Sequence, residues 1–243
     1  MLAGKVAIIT GGAKGIGRYI AHAFAREGAK IAIADIDVER MEKTVAELRE
    51  IGAEVLAVKA DVRDEDQVRS LMKQVNSHFG HIDVLVNNAA IVTHFQWGVP
   101  RWPQIRDMGK EFWDNVIQTN LGGTFLCTKH VLPYMEERRS GHIVNLYGGS
   151  PPASIGSCAY SVSKDAIRTF TRFVAEEEKD WNICVVVVSP GGAIATEDAP
   201  EEARRRLPGP ELAGNRFVQA AQADIKFSGQ QLTLKEGRLE VVA

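Results

Sequence analysis

The sequence has few cysteines, no long apolar run and no block of basic residues. Its three cysteines are Cys127, Cys158 and Cys184, and an odd, scattered set argues against a disulfide framework and favours a reducing compartment. No apolar run approaches the roughly 18 residues of a membrane span, and no charged-then-apolar leader opens the chain, so we predict a cytoplasmic protein without membrane contact. The net charge of −2 gives no reason to expect a nucleic-acid partner.

Internal repeats, low-complexity segments and linkers are also missing, so we predict one domain over residues 1–243. Apolar runs alternate with helical periodicity as far as residue 190, which predicts an α/β fold with a doubly wound parallel sheet and helices on both faces. The predicted strands are 6–10, 30–34, 54–59, 84–87, 142–146 and 184–189. The predicted helices include 16–27, 38–51, one from the capping pair Asp64 and Gln67 to near Gly80, and 112–131.

A glycine-dense turn lies between the first predicted strand and the first predicted helix. Gly11, Gly15 and Gly17 would let the backbone turn tightly and approach a ligand that a Cβ would obstruct. The start of the helix would aim free N–H groups and its positive dipole end at a pyrophosphate. The second predicted strand is followed by Asp35, where a dinucleotide-binding βαβ unit places its acceptor for the ribose. Together these features predict a dinucleotide site.

Two stretches break the alternation, and both follow the carboxyl ends of strands, where ligands bind in open α/β sheets. Residues 91–110 include Phe95, Trp97 and Trp102 and show no regular period. We expect this segment to cover the substrate side of the cleft, with Trp97 or Trp102 as an apolar wall that excludes water. The alternative is a surface loop whose aromatic side chains pack on the body. Residues 191–210 are rich in glycine, proline and charge.

Tyr160 and Lys164 are four residues apart on a predicted helix and therefore share one face. Tyrosine is a poor base at its free pKa of about 10. We expect the neighbouring ammonium and a positive nicotinamide to lower the pKa of Tyr160, so that it exchanges a proton with an alcohol. Asn120 interrupts an otherwise apolar helix; as a buried amide it must find partners, and a purely structural role is equally consistent with that position.

In this order and spacing, the motifs resemble the short-chain dehydrogenase/reductase family over nearly the full length of the chain. The resemblance is carried by Thr10-Gly11…Gly15-x-Gly17, Asp61-Val62, Asn87-Asn88-Ala89, Asn120, Tyr160-x-x-x-Lys164 and Pro190-Gly191. It implies a Rossmann-like fold, a nicotinamide cofactor and hydride transfer with Tyr160 as acid/base. It further implies that Lys164 holds the nicotinamide ribose and lowers the pKa of Tyr160, that Asn120 anchors a water leading protons to solvent, and that the chain forms a homo-oligomer, a tetramer or dimer.

The candidate site residues follow from the motifs and the resemblance together, and no metal ligand is among them. The candidate catalytic residues are Tyr160, Lys164, Asn120 and Ser150. The candidate cofactor-binding residues are Gly11, Lys14, Gly15, Ile16, Gly17, Asp35, Ile36, Asp61, Val62, Asn88, Tyr160, Lys164, Pro190, Gly191 and Ile194.

The main departure from the family pattern concerns its catalytic serine. Counting from the fifth predicted strand places Gly148 at that position, and counting back from Tyr160 places Tyr147 there. Three substitutes remain open: the hydroxyl of Ser150, which we favour as the closest small hydroxyl, the hydroxyl of Tyr147, or a water beside Gly148. A milder departure is Ala90, which stands where the family's Asn-Asn-Ala-Gly pattern ends in glycine.

The sequence therefore predicts an NAD-dependent alcohol dehydrogenase or ketoreductase that acts on a secondary alcohol or ketone of a small, partly apolar or aromatic substrate. NAD is favoured over NADP because Asp35 would repel a 2′-phosphate and Ile36 offers no positive charge beside it, although Lys14 pulls the other way. The alternative is an NAD-binding protein on the same fold that has lost catalysis and acts as a sensor or assembly partner. The missing serine is its only support.

Overall fold

The computed structural model describes residues 2–92, 102–149, 155–235 and 237–242. Within these ranges the strands are β1 (Val6–Thr10), β2 (Lys30–Asp35), β3 (Val55–Lys59), β4 (Val84–Asn87), β5 (Gly141–Leu146), β6 (Ile183–Val188), β7 (Gln231–Lys235) and β8 (Arg238–Val241). The helices are α1 (Gly15–Arg26), α2 (Val38–Glu50), α3 (Glu65–Phe79), α4 (Lys110–Ile117), α5 (Gly123–Arg138), α6 (Cys158–Glu177), α7 (Glu201–Arg206) and α8 (Glu211–Ala220). None of these helices is long and apolar enough to cross a membrane.

The strands form one sheet in the order β3-β2-β1-β4-β5-β6-β7-β8. The strand order reverses between β1 and β4, because β2 and β3 lie on one side of β1 and the later strands lie on the other. In open α/β sheets, the carboxyl ends of the strands at such a switch point form the ligand crevice. The predicted doubly wound α/β fold is therefore confirmed.

The sheet is mainly parallel, as predicted, but it also carries one antiparallel pair at its edge. β7 pairs in parallel with β6, but β8 pairs with β7 in the antiparallel direction after a turn at Gly237, whose φ is +78°. Neither strand was predicted, because the hairpin lacks the continuous apolar run that identifies a central parallel strand. Among the described residues of β7 and β8, only Leu232 is fully buried, and Arg238 and Glu240 are exposed on the edge strand.

Alternation along each strand sends neighbouring side chains to opposite faces of the sheet. Ile9 and Val186 belong to the core cluster that includes residues of α1, α2 and α8. Their neighbours Ile8 and Val185 belong to the cluster on the other face, with residues of α3, α5 and α6. Both faces are thus covered, which explains why the central strands consist of continuous apolar residues rather than alternating ones.

The helix predicted over residues 112–131 is divided by a wide turn. A π-helical turn (Gln118–Gly122) lies between α4 and α5, and Asn120 is at its centre. Single π turns inside α-helices are frequent at functional sites. The periodicity of apolar residues did not reveal this turn. The turn contains only about one extra residue, and the apolar pattern continues in the helices on both sides of it.

Candidate active site

A crevice of about 1220 Å³ lies along the carboxyl ends of the strands from β1 to β6. Its volume exceeds the range of roughly 300–1,000 Å³ that is typical of pockets for drug-sized ligands. The candidate residues that line it are Gly11, Lys14, Gly15, Ile16, Asp35, Ile36, Asp61, Val62, Asn88, Tyr160, Pro190 and Ile194. Among the described residues, the candidates Gly17, Asn120, Lys164 and Gly191 do not line it, and Ser150 lies outside the described residues.

The glycine turn is held against the end of β4 at a separation that excludes side chains. A Cβ at Gly11 would lie 2.8 Å from Cα of Ala89, and a Cβ at Gly17 would overlap the Gly11 carbonyl oxygen. The Asn88 amide donates hydrogen bonds to the carbonyl oxygens of Thr10 and Gly11, both at 2.9 Å. Gly17 therefore acts by allowing α1 to approach the turn, whereas Gly11 and Gly15 line the crevice with positive φ angles of +64° and +58°.

The first asparagine of the pair has a different environment from the second. Asn87 is buried and donates hydrogen bonds to Oδ1 of Asn145 at 2.8 Å and to Oγ1 of Thr128 at 3.2 Å. Asn145 in turn donates to Oγ1 of Thr171 at 2.9 Å. Buried polar networks of this kind fix the relative positions of the elements that they join. This one joins β4, β5, α5 and α6 beneath the crevice, and no periodic pattern in the sequence predicted it.

Asp35 lies at the end of β2 with its carboxylate held by two backbone N–H groups. Oδ2 accepts from Ala13 N and Oδ1 accepts from Asp37 N, both at 3.0 Å. The first contact ties the carboxylate to the glycine turn, and the second ties it to the start of α2. The carboxylate is therefore fixed in orientation at the crevice wall, where it can accept from ribose hydroxyls. Ile36, the next residue, is 61% exposed and adds no charge.

Asp61 and Val62 form the crevice wall beyond β3. The Arg63 guanidinium hydrogen-bonds the Asp61 carboxylate, and this contact lowers the pKa of Asp61. Asp61 N donates to Oε1 of Gln67 at 3.0 Å, so the Gln67 side chain does not close the predicted capping box on the backbone of Asp64. Asp64 alone caps α3, by accepting from the backbone N–H groups of its first turn. Gln67 thereby contributes to the position of Asp61.

Tyr160 and Lys164 lie on one face of α6, as predicted. Lys164 is 1% exposed, donates from Nζ to the Leu146 carbonyl oxygen at 2.9 Å and lies 5.9 Å from the centre of the Tyr160 ring. Burial lowers the pKa of Lys164 to about 7 and raises the pKa of Tyr160 above its usual value. The expected lowering of the Tyr160 pKa also depends on a positive nicotinamide, so it stays a prediction; in the chain alone, burial of the phenol opposes it.

The Tyr160 hydroxyl faces Gly148, which is one of the two positions predicted to take the place of a catalytic serine. A Cβ at Gly148 would lie 2.6 Å from that hydroxyl oxygen, and a Cβ at Gly149 would lie 2.7 Å from the hydroxyl of Tyr147. The Tyr147 hydroxyl donates to Oδ1 of Asp165 at 3.2 Å. Two phenol groups thus lie over two successive glycines that line the crevice.

Both the oxygen and the nitrogen of the Asn120 side-chain amide form hydrogen bonds with protein groups. Its side-chain oxygen accepts from Ile91 N at 2.8 Å, and its Nδ2 donates to the Ile91 carbonyl oxygen at 3.0 Å and to Oγ of Ser163 at 2.9 Å. The residue is fully buried. Both side-chain N–H groups are therefore used, so they are not the groups that would anchor a water. The amide instead holds the chain after β4 against α6, three residues from Tyr160.

The turn after β6 forms the remaining wall. Gly191 and Gly192 have φ angles of +102° and +124°, and the Arg216 guanidinium lies within 3.0 Å of the position that a Gly191 Cβ would occupy. Arg216 thus supports Gly191 from behind, while Pro190 and Ile194 face the crevice. Ile194 is almost fully buried.

The predicted aromatic wall is described only in part, because residues 93–101, including Phe95 and Trp97, lie outside the described residues. Trp102 does not line the crevice, which corrects one of the two residues suggested for the wall. Its ring instead packs edge-on against Phe112, with ring centres 4.9 Å apart, and its carbonyl oxygen contacts the position of a Gly156 Cβ. Phe112 and Ile91 provide apolar lining on this side of the crevice.

Sequence reasoning missed an acidic pair in the loop after β6. Gly15 N donates to Oε1 of Glu197 at 2.8 Å, and Asp198 forms ion pairs with Lys14 at 2.6 Å and Arg40 at 2.9 Å. The only signal was the charge content of residues 191–210, because contacts between residues more than 150 positions apart leave no local pattern.

These features fit a dinucleotide cofactor: glycines where a Cβ would collide, an oriented carboxylate at the end of β2, and a phenol over the turn after β5. Comparisons with known proteins agree. A family model described as short chain dehydrogenase matches residues 5–206. The chain is 38% identical over 187 residues to the (2S)-[(R)-hydroxy(phenyl)methyl]succinyl-CoA dehydrogenase subunit BbsD of Thauera aromatica, covering 77% of this chain and 72% of that protein.

Further relatives have the same fold and family. The chain is 38% identical over 210 residues to the 3-oxoacyl-[acyl-carrier-protein] reductase FabG of Thermotoga maritima, covering 84% of this chain and 80% of that protein. Among solved structures, a short-chain type dehydrogenase/reductase from Mycobacterium marinum superposes with a TM-score of 0.81 at 28% identity, covering 95% of this chain and 93% of that one. The chain therefore belongs to the short-chain dehydrogenase/reductase family, whose members are oxidoreductases that use a nicotinamide cofactor.

Proposed function

We propose that this protein transfers a hydride between NAD(H) and a secondary alcohol or ketone of a small organic substrate that is partly apolar or aromatic. The observation that carries the proposal is the Tyr160 hydroxyl, which faces Gly148 in the same crevice that holds the glycine turn and the Asp35 carboxylate. The nicotinamide, when bound, would accept or supply the hydride. The residues of this chain bind and orient the two reactants and move the proton.

Tyr160 would hold that proton at its hydroxyl oxygen. Burial raises the pKa of Tyr160, so the neutral phenol, which can donate to a ketone oxygen, is the favoured form. Lys164, whose pKa burial lowers to about 7, can be charged or neutral close to physiological pH. When charged, it would stabilise the phenolate that forms once Tyr160 has donated its proton, and it would hold the nicotinamide ribose. Asn120 would act as a positioning residue through Ile91 and Ser163.

NAD is the proposed cofactor because the Asp35 carboxylate is fixed where the adenosine ribose would bind. Its two backbone contacts prevent it from turning away, so a 2′-phosphate would meet a negative charge. Asp61, Val62 and Asn88 would line the adenine side and the turn. Lys14, which favoured a phosphate in the sequence, is engaged by Asp198.

The substrate would bind beside Ile91 and Phe112, which supply an apolar surface close to the crevice floor. One relative carries a phenyl group in the name of its substrate, which supports a substrate with an aromatic part. For the substrate oxygen we propose Ser150 as the second hydrogen-bond donor. The Tyr147 hydroxyl has one proton and donates it to Asp165, which favours Ser150 over Tyr147.

We also propose a cytoplasmic homo-oligomer, a tetramer or dimer. The exposed aromatic side chains Phe125 on α5 and Phe173 on α6, 46% and 65% exposed, support a surface that a second copy would cover. Sedimentation of the purified protein at several concentrations would measure the assembly, and a monomer at all concentrations would contradict it.

The test of the proposed function is NAD(H)-linked turnover on a panel of secondary alcohols and ketones, with cofactor binding followed by fluorescence. Tyr160→Phe should lower kcat by about 10²–10⁴-fold while NADH affinity stays within a few-fold, because the hydroxyl carries the proton and the ring remains. Lys164→Ala should lower both kcat and the affinity for NADH. Ser150→Ala should lower kcat at least about tenfold with little change in KM, as expected for one lost oxyanion donor.

Two results would contradict this assignment. If Tyr160→Phe kept more than about a tenth of the wild-type rate, Tyr160 would not be the acid/base. If the protein bound NADH but turned over no alcohol or ketone, the non-catalytic alternative would be favoured, for which the absence of a side chain at Gly148 is the structural argument.

A further inference from the structure

The acidic pair Glu197 and Asp198 connects the loop after β6 to the opposite wall of the crevice. Glu197 accepts a hydrogen bond from Gly15 N, the first residue of α1, at 2.8 Å. Asp198 places one oxygen, Oδ2, 2.6 Å from the Lys14 ammonium and 2.9 Å from the Arg40 guanidinium. The two carboxylates therefore bind different groups: Glu197 binds a backbone donor of the glycine turn, and Asp198 binds two cationic side chains.

The groups that Glu197 and Asp198 bind are those that proteins use to bind phosphate. A backbone N–H at a helix N-terminus favours an anion, and a lysine with an arginine forms charge-assisted contacts with phosphate oxygens. A carboxylate of this chain and a phosphate of the cofactor would therefore exclude one another at the same donors. This inference rests on the proposed function. In a bound dinucleotide, the pyrophosphate would accept from Gly15 N.

Lys14 and Arg40 are assigned to the ribose end, because the backbone beside each of them is linked to Asp35 and both cations meet at Asp198, which lines the crevice with Asp35. The Asp35 carboxylate accepts from Ala13 N, next to Lys14, and from Asp37 N. Asp37 in turn caps α2 by accepting from Arg40 N at 3.1 Å. Any anion attached to the ribose hydroxyl next to Asp35 would need these two cations to offset the charge of Asp35.

The ion pairs of Asp198 form at neutral pH, yet a phosphate can compete for their cations. Burial acts to raise the pKa of Asp198, but hydrogen bonds from Lys14 and Arg40 outweigh it and hold that pKa below its usual value, so the group is ionised at neutral pH. The side chains of Lys14, Arg40 and Asp198 remain 47%, 41% and 34% exposed. Ion pairs with this exposure are modest and are open to competition by a phosphate.

We propose that Asp198 is a cofactor-specificity residue, which disfavours NADP by occupying Lys14 and Arg40, whereas Glu197 competes equally with both dinucleotides by occupying Gly15 N. The two roles separate because the pyrophosphate is common to NAD and NADP and the 2′-phosphate is not. Preference for NAD then has two sources, the repulsion from Asp35 and the neutralisation of the cations that would otherwise offset it.

The experiment measures the dissociation constants of NADH and NADPH by cofactor fluorescence at fixed salt, without any substrate. Asp198→Asn should tighten NADPH binding by about three- to tenfold and change NADH binding less than about twofold, since one partner of an exposed ion-pair cluster is removed. Glu197→Gln should tighten both by the same factor, about two- to fivefold. Glu39→Gln is the matched control, because it removes a carboxylate of α2 that pairs with Lys43 outside the crevice, and it should change neither.

Thermal melting of each variant checks that it is folded, and Asp198→Ser provides a second variant with the same expected shift. The inference is overturned if Asp198→Asn changes the two affinities by the same factor, or leaves or weakens NADPH binding. It is also overturned if Glu197→Gln alters the NADPH-to-NADH ratio as much as Asp198→Asn does.

The proposed function fails by different results. A wild-type protein that binds NADPH more tightly than NADH contradicts the proposed cofactor, and an absence of turnover contradicts the proposed reaction. In both cases the change in the affinity ratio on Asp198→Asn still decides the role of Asp198.

Discussion

A methyl group at Gly148 should displace the hydroxyl of Tyr160, the proposed proton carrier, and leave the fold intact. The Cβ of Gly148→Ala would lie 2.6 Å from the Tyr160 hydroxyl oxygen, whereas ordinary contact begins at 3.4 Å. The hydroxyl would therefore have to move by about 0.8 Å, and a misplacement of about 1 Å can cost roughly 10²-fold in rate. We expect kcat to fall by about 10- to 100-fold.

The stability of the same variant should change by less than about 1 kcal/mol. The colliding atom is the far end of a side chain, which can swing aside at little cost, in contrast to a collision with backbone. NADH affinity should also stay within about threefold, because the ring of Tyr160 would remain beside the proposed cofactor. The assays are steady-state turnover, thermal melting and fluorescence titration on one preparation.

Gly149→Ala is the matched control for Gly148→Ala. It makes the same chemical change one residue later, and its Cβ would lie 2.7 Å from the hydroxyl of Tyr147 rather than of Tyr160. It should therefore lower kcat by less than about threefold if Tyr160 is the proton carrier. Equal losses in both variants, or a fully active Gly148→Ala, would refute the reasoning that ties the rate to the position of the Tyr160 hydroxyl.

Three further predictions concern stability and binding. Burial lowers the pKa of Lys164 from 10.5 to about 7, so the unfolded state binds more protons than the folded state above about pH 7. The free energy of unfolding of the wild type, measured in urea, should therefore rise relative to that of Lys164→Met between about pH 7 and about 9.5, by roughly a few kcal/mol. Parallel pH profiles of the two proteins would contradict this prediction. Gly17→Ala should destabilise the protein by about 1–3 kcal/mol and abolish NADH binding in a titration, because its Cβ overlaps the backbone of Gly11; wild-type affinity would show that the turn can relax. Asn120→Ala should lower the melting temperature and kcat together, since it leaves the Ile91 backbone groups unpaired, and an unchanged melting temperature would mean that the π turn closes without its amide.

The elements that sequence predicted well are those specified by neighbouring residues. Continuous apolar runs identified β1 and β4 at their observed boundaries, and Gly80, with φ of +86°, ends α3 where predicted. The glycine turn was predictable because strand, turn and helix are adjacent in the chain. Asp35 was predictable for the same reason, since its place depends on where β2 ends.

The parts that were missed depend on residues far apart in the chain. The Glu197–Gly15 hydrogen bond and the Asn120–Ile91 contacts join segments that only the folded chain brings together. The burial of Tyr160, which acts to raise its pKa, was not visible in the sequence, because the sequence shows the adjacent lysine but not what packs around the phenol. The hairpin of β7 and β8 was missed because its residues are mostly half-buried or exposed.

The π-helical turn between α4 and α5 imposes a requirement on chain length. A π turn holds about one residue more than an α turn, and one residue corresponds to about 100° of rotation around a helix axis. Phe112 on α4 can therefore face the crevice while Cys127 and Val131 on α5 face the core. Deleting one residue between positions 118 and 122 would allow one uninterrupted α-helix and would rotate one of these faces away from its partner. The number of residues in this turn therefore sets the relative orientation of α4 and α5, a role separate from the hydrogen bonds of Asn120.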